Sequence, residues 1–195
     1  MRILIAVLVI FIIVGCTADK VYAPKPRMYP KVFYPEKEYI TFEEDYCQLT
    51  FDMPAYARVM QERTFFEEEP ADPCWFDLEL KDFNGNLHFS YYPVNDRKTF
   101  DELITDAFRF VEKHDIKANY RSETVLENKQ GVSGILFDIE GPVATPIQFF
   151  LTDSTHHFVR ASLYFNNKVE PDSMAPIYSF VREDILRIIE SMEFK

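Results

Sequence analysis

The fold-deciding stretch, residues 75–92, reads Trp75-Phe76-Asp77-Leu78-Glu79-Leu80-Lys81-Asp82-Phe83-Asn84-Gly85-Asn86-Leu87-His88-Phe89-Ser90-Tyr91-Tyr92. Apolar residues fill every second position at its start, with Phe76, Leu78 and Leu80 on one side of the chain. Such alternation predicts a strand with one buried face. Asn84-Gly85 is typical of a two-residue hairpin turn. The stretch therefore predicts two antiparallel strands, at 75–80 and 86–92.

Further strands are predicted on both sides of this hairpin. Residues 47–53 alternate in the same way and are closed by Pro54. Beyond the hairpin, strand-like runs cover 120–126, 132–140, 147–152 and 158–165, and Gly141-Pro142 separates the second run from the third. Because they follow one another through short connections, these segments predict an antiparallel meander.

Two helices interrupt the strands. Thr99-Phe100-Asp101-Glu102 matches a capping box, and the apolar residues after it recur at helical spacing: Phe100, Leu103, Ile104, Ala107, Phe108 and Val111. Lys113 and His114 suit the last turn of this helix. The second predicted helix runs over 174–192, with Pro176 in its first turn and an inward face of Ile177, Phe180, Val181, Ile185, Ile188 and Ile189.

The order of these elements predicts an α+β fold, with an antiparallel sheet and two packed helices. This order resembles the fold of the photosystem PsbP and Mog1 group, which often ends in a helix and a short tail like Ser191-Met192-Glu193-Phe194. Fold alone does not imply function.

The N-terminus carries a targeting signal. Arg2 precedes an uncharged apolar run over residues 3–14, which is shorter than the ~20 residues that span a bilayer. Gly15-Cys16 then resembles the lipobox of bacterial lipoproteins, where the sulfur receives a diacylglycerol, the peptide is cut before the cysteine and the new amine takes an acyl chain such as palmitate. We predict a signal peptide at 1–15 and lipidation at Cys16; an uncleaved anchor or a chance Gly-Cys pair is the alternative.

The next segment, 16–38, is predicted to be a proline-rich tether. Pro24, Pro26, Pro30 and Pro35 disfavour helix and sheet and favour an extended chain. Its aromatic residues, Tyr29 and Tyr34 among them, are candidates for binding a partner, or they lie against their own domain. Residues 39–195 are predicted to form a single domain.

Charge and cysteine content restrict the function classes. The formal net charge is −11, and such an acidic protein is not expected to bind a phosphate backbone, so nucleic acid is excluded. If Cys16 is lipidated, Cys47 and Cys74 remain, and in an oxidising compartment they are expected to form one disulfide. A reactive thiol or a metal site is the alternative, although no Cys-x-x-Cys spacing supports either.

We find no catalytic motif, metal site or cofactor site in the sequence, and we expect a protein that is not an enzyme. His156 and His157 are adjacent on a predicted strand, so they point to opposite faces, and His88 lies on another strand. Trp75 and Phe76 are candidates for partner binding, with core packing as the simpler interpretation. A glycan-binding protein or cryptic envelope enzyme that uses Asp77 and Glu79 beside Trp75 is the alternative hypothesis.

Several short motifs together resemble the gliding-motility lipoprotein GldD family of the Bacteroidetes. They are the lipobox at Cys16, Pro24-Lys25-Pro26-Arg27-Met28-Tyr29, Tyr34-Pro35-Glu36-Lys37-Glu38-Tyr39, Cys47 with Phe51, Pro54, Tyr56 and Ala57, Asp72-Pro73-Cys74-Trp75-Phe76, Leu87-His88-Phe89-Ser90-Tyr91 and His114-Asp115-Ile116-Lys117-Ala118. Two features depart from the family pattern: Met28 stands where the family has Gly, and the acidic loop 67–69 has no counterpart.

The resemblance implies a cell-envelope protein that gliding requires, with no known enzymatic activity. It implies partners among the gliding and type IX secretion components, besides the bilayer that holds the acylated Cys16. Thr17 after the cysteine favours the outer membrane, and Ala18-Asp19-Lys20 lacks the acidic run of a surface-export signal. The expected location is therefore the outer membrane, facing the periplasm.

Overall fold

The elements of secondary structure follow the predicted order, with additions. The computed structural model describes residues 31–61, 70–167 and 170–195. Within these ranges the elements are β1 Tyr39–Glu43, β2 Leu49–Pro54, β3 Arg58–Gln61, β4 Phe76–Leu80, a 3-10 helix Lys81–Phe83, β5 Gly85–Pro93, α1 Arg97–Asp115, β6 Tyr120–Glu127, β7 Ser133–Glu140, β8 Ile147–Thr152, β9 His157–Phe165, α2 Pro171–Ser191 and β10 Glu193–Phe194.

The described strands form two antiparallel sheets. The larger has seven strands in the order β3-β4-β5-β9-β8-β7-β6, and the smaller has three in the order β1-β2-β10. The α+β class with packed helices is confirmed. The smaller sheet was not predicted, because β10 is two residues long and exists only through its pairing with β2.

One face of the seven-stranded sheet, here called the covered face, is apolar across its central strands. Phe76 and Phe89 project from it and stack on each other at 4.7 Å between ring centroids. The three-stranded sheet packs on them, with Phe42 against Phe76 at 4.6 Å and Phe51 against Phe89 at 5.4 Å. Burying each such side chain contributes on the order of 2 kcal/mol, so this layer holds most of the core.

Helix α2 packs on the same side of the sheet through the predicted apolar face. Ile177, Val181, Ile185, Ile188 and Ile189 are buried. The helix begins at Pro171, so Pro176 lies inside it rather than in its first turn, which corrects the predicted start. Pro171 takes the N-terminal position, where a missing N–H costs little.

Helix α1 covers part of the opposite face, over β7, β8 and the start of β9. Its Ala107 and Val111 are buried against Phe137, Phe150 and Phe158, as the helical spacing predicted. The cap differs from the prediction: Asp96, and not Thr99, precedes the helix, and its carboxylate accepts a hydrogen bond from the Thr99 N–H at 2.7 Å. The capping-box interpretation was wrong, because an aspartate three residues upstream provides the cap.

The hairpin between β4 and β5 is longer than the predicted two-residue turn. Leu80 pairs with Gly85, so residues 81–84 form the loop, and Asn84 adopts the left-handed conformation with φ 49°. Asparagine tolerates this conformation better than most residues. The two strands are nevertheless antiparallel neighbours, as predicted.

A disulfide joins Cys47, in the loop before β2, to Cys74, just before β4, with 4.7 Å between the Cα atoms. Both cysteines are buried. The bond predicted from the cysteine count is therefore present, and it fastens the three-stranded sheet to the seven-stranded sheet.

Candidate functional site

Polar side chains occupy the part of the seven-stranded sheet that α1 leaves exposed. We define this polar face by half-exposed side chains of β4, β5 and β9, all on the α1 side of the sheet: Asp77, Glu79, His88, Ser90, Arg160 and Tyr164. The strand register sets their positions, since Asp77 pairs with His88 and Ser90 pairs with Arg160. The same alternation that buries one face therefore directs these groups to the other.

Asp77 and His88 form a hydrogen-bonded pair between neighbouring positions of β4 and β5. The His88 Nδ1 lies 2.6 Å from the Asp77 Oδ1, and the two side chains are 43% and 22% exposed. The Tyr164 ring packs edge-on against the imidazole at 5.2 Å. The hydrogen bond to Asp77 and this ring contact fix the orientation of the imidazole.

Arg160 lies beside this pair on β9. Its guanidinium stands 4.0 Å from the centre of the Phe110 ring of α1, a cation–π distance. Burial lowers the pKa of this guanidinium below its ordinary value. Among the residues described, its Nε is buried and has no hydrogen-bond partner.

The histidines are not brought together into one site. His157 lies on the other face, where its Nδ1 is 2.6 Å from the Tyr91 hydroxyl and its ring stacks on Phe194. His156 is exposed, 4.0 Å from Asp153. No group of three or more potential metal ligands occurs in the described ranges.

The two candidates for partner binding in β4 have different environments. Phe76 is 0% exposed and lies in the core, so its assignment to a partner surface is wrong. Trp75 is half-buried; its Nε1 donates to the Tyr91 carbonyl at 2.9 Å, and its ring meets Tyr92 edge-on at 5.5 Å. Core packing, the simpler interpretation, describes both residues better.

A second cluster forms where the chain enters the domain. Residues 33–38, here called the strap, have no regular secondary structure and run along α2. Lys37 Nζ donates to the Asp184 Oδ1 at 2.8 Å and to the Phe180 carbonyl at 2.6 Å. Tyr34 packs on Phe180 at 4.9 Å between ring centroids. These contacts fix the strap to the domain.

Asp184 is the centre of this cluster and is only 2% exposed. It accepts hydrogen bonds from Lys37, from the Tyr39 hydroxyl at 2.8 Å and from the Tyr56 hydroxyl. Burial and the bond to Asp184 raise the pKa of Tyr39 to about 12 and that of Tyr56 further, so both hydroxyls keep their protons and donate. The buried carboxylate is satisfied by three donors.

Sequence analysis missed Asp184 and Arg160. Asp184 interrupts the apolar face of α2, one turn after Phe180 and Val181, and a carboxylate in that position signals a buried polar contact. Arg160 interrupts the run of apolar residues in the central strand β9 and gives a similar signal. Their partners could not be named, because register and packing bring them together.

Cys16 and Tyr29, proposed for lipidation and partner binding, lie outside the described residues. Within the described ranges, neither helix is long and apolar enough to cross a membrane.

Comparison with known proteins identifies the family. No curated protein matches the chain. The family described as gliding motility lipoprotein GldD matches residues 19–194, which include the strap, the polar face and every described element of both sheets. Since this match covers most of the sequence, the chain belongs to the gliding motility lipoprotein GldD family.

Proposed function

We propose that this lipoprotein is held at the outer membrane by the acylated Cys16, faces the periplasm and acts as a non-enzymatic binding component of the gliding and type IX secretion machinery. Family membership supports the role in gliding and the lipid anchor. The Gly15-Cys16 pair and Thr17 support the anchor position.

The observation that carries this proposal is the exposed apolar surface at the entry to the domain. Phe33, Tyr34 and Ile40 are 75%, 42% and 49% exposed, and they lie within eight residues of one another along the strap and β1. The bonds from Lys37 to α2 hold this segment in place. Exposed apolar side chains on a fixed backbone are candidates for contact with a partner protein.

Photo-crosslinking in living cells tests the proposal. A crosslinking residue replaces Ile40 in one strain and Ile116 in another, because Ile116 is 89% exposed but lies after α1, away from the strap. We expect adducts with gliding or secretion components from position 40 and not from position 116. Recovery of the same abundant porins and lipids from both positions would contradict the proposal.

The polar face favours a second candidate function, binding of a glycan or another small ligand. Asp77 and Glu79 project from it as the alternative hypothesis required, but Asp77 is engaged by His88. An aspartate–histidine pair orients the imidazole in binding sites and in catalytic sites alike, so an activity assay separates the two. An enzyme would release reducing ends from envelope polysaccharide, whereas a binding protein leaves the polymer intact; loss of that release in Asp77→Asn would support the enzyme.

A further inference from the structure

Arg160 is a half-buried cation in the central strand β9, and the Asp106 carboxylate of α1 acts on it electrostatically without forming an ion pair. Arg182, Arg187 and Lys37 each contact a carboxylate within 3 Å. Arg160 forms no ion pair with any described residue, although the chain has 32 acidic residues and 21 basic ones. The Nε is buried, so an external anion would bind the terminal amino groups of the guanidinium.

The groups around Arg160 restrict the chemistry of that anion. Ser90 lies opposite Arg160 in the register, and His88 lies opposite Ser162, the next position on the same face of β9. Directly opposite side chains stand ~5 Å apart and diagonal ones ~7–8 Å, so Ser90, whose hydroxyl also contacts Tyr92, and the more distant His88 are both within reach of an oligosaccharide on the guanidinium. A ligand bound here meets an anion site and at least two hydrogen-bonding groups.

Tyr164 provides an aromatic ring on the polar face, on the same strand as Arg160. It lies four residues from Arg160 on the same face of β9, which corresponds to ~13 Å along the strand. Its edge-on contact with His88 holds the ring, which is half-exposed. A fixed aromatic ring beside hydrogen-bonding groups suits an amphipathic ring such as a sugar.

We propose that the polar face binds an acidic saccharide, with a sugar carboxylate on Arg160, sugar hydroxyls on Ser90 and His88, and a second sugar ring against Tyr164. The row is long enough for an oligosaccharide. We assign the ligand as a uronate because Arg160 supplies the positive charge. The Ser90 hydroxyl, the His88 imidazole and the Tyr164 ring suit a carbohydrate more than an acidic peptide. It rests on the second candidate function and is independent of the strap.

Calorimetric titration of the full chain in detergent tests this site. The probe is a short oligogalacturonate, and the matched ligand is its methyl ester, which keeps the sugar rings and removes the charge. We expect the acid to bind at least ~10-fold more tightly than the ester, since a charge-assisted hydrogen bond is lost with esterification. Equal affinity for both ligands, or no binding of either, would overturn the proposal.

Variants distinguish the contribution of the Arg160 charge to ligand affinity from that of the Tyr164 ring. Arg160→Met should remove the preference for the acid, and Arg160→Lys should retain part of it, because lysine keeps the charge without the planar fork. Tyr164→Ala should lower the affinity for the acid and for the ester by the same factor. Arg97→Gln is the control, because Arg97 is an exposed arginine of α1 already paired with Asp101 at 3.0 Å, and it should leave both affinities unchanged.

Two outcomes distinguish the failure of this inference from that of the proposed function. Binding of short poly-glutamate as tightly as the uronate would show a site for acidic peptides and overturn the saccharide assignment. Loss of crosslinks at Ile40 with retained uronate binding would contradict the strap surface and leave this site standing. If Arg160→Met fails to fold, Arg160→Lys and the comparison of acid with ester still test whether the site recognises the sugar carboxylate.

Discussion

Where α1 does not cover it, over β4, β5 and part of β9, the seven-stranded sheet has two faces of opposite composition. On the covered face Phe76, Phe89 and Phe149 pack under a second sheet and α2. On the other face, β4 and β5 present Asp77 and His88, and β9, which lies between β5 and β8, presents Arg160. A sheet that served only to fold would gain nothing from half-buried charges in its central strands, because burying polar groups costs free energy. The difference supports the proposal that the polar face binds a ligand, whereas the covered face stabilises the domain.

The largest expected effect comes from the covered face. Phe76→Ala removes a ring packed against Phe42 and Phe89, and it should lower the free energy of unfolding by about 3 to 5 kcal/mol in urea titrations. Tyr164→Ala on the polar face is the matched aromatic truncation, with an expected loss of about 1 kcal/mol. Equal losses would contradict the contrast between the faces.

The Asp184 cluster should give the next largest effect, because it fastens the strap to the covering layer. Asp184→Ala leaves Lys37 and two tyrosine hydroxyls without their acceptor and should destabilise the domain by about 3 to 4 kcal/mol. Asp52→Ala is the control, because its pair with Arg187 is partly exposed and is worth about 1 kcal/mol or less. Thermal melts of both variants measure the difference. A loss of stability as small as that of Asp52→Ala would show that the Asp184 cluster does not stabilise the domain.

The disulfide links the covering sheet to the covered face. The Cys47→Ser, Cys74→Ser double variant should lose about 3 kcal/mol, since the bond closes a loop with a sequence separation of 27. The polar face lies on the other side of the sheet, so the uronate affinity of the folded double variant should not change. A change in affinity with stability intact would show that the two faces are coupled.

A pH titration tests the contribution of the Asp138 carboxylate, which lies on the covered face, to the stability of the fold. On the covered side, burial raises the pKa of Asp138, but hydrogen bonds from Arg182 and Tyr178 outweigh it and lower the pKa below 3.8. A lowered pKa stabilises the fold fully above the unfolded value, and that contribution is lost as the pH falls from about 3.8 through the lower folded value.

Asp138→Asn should therefore cost about 2 kcal/mol at neutral pH, and the difference from the unchanged protein should shrink below pH 3.8. Unfolding measured across this range checks the expectation. Asp101→Asn, at an exposed pair with Arg97, is the control and should cost less than about 1 kcal/mol at neutral pH. A constant gap for Asp138→Asn would mean that the carboxylate is not held by its partners.

The sequence predicted the parts of the fold that depend on local pattern. Alternation located β4, β5 and the later strands, and helical spacing gave the buried faces of both helices. The α2 start and the cap at Asp96 were misplaced because several residues compete for these positions and local context selects one. β1, β3 and β10 were missed because short strands depend on their neighbours.

The candidate site depends on contacts that no local pattern records. Asp77 and His88 are visible as polar positions of two strands, but only the register places them 2.6 Å apart. Phe76 follows Trp75 and is therefore a candidate for a partner surface, but its alternation with Leu78 and Leu80 already directs it into the core. Asp184 gathers donors from the strap, β1 and the turn after β2, which are far apart in sequence.

Amide chemical-shift mapping of the isotope-labelled full chain in detergent, titrated with oligogalacturonate, tests the central contrast most directly. The account predicts saturable shifts at His88, Ser90, Arg160 and Tyr164, with β2 and α2 unchanged. Shifts concentrated in the strap or the covering layer, or no shifts at all, would contradict the assignment of recognition to the polar face.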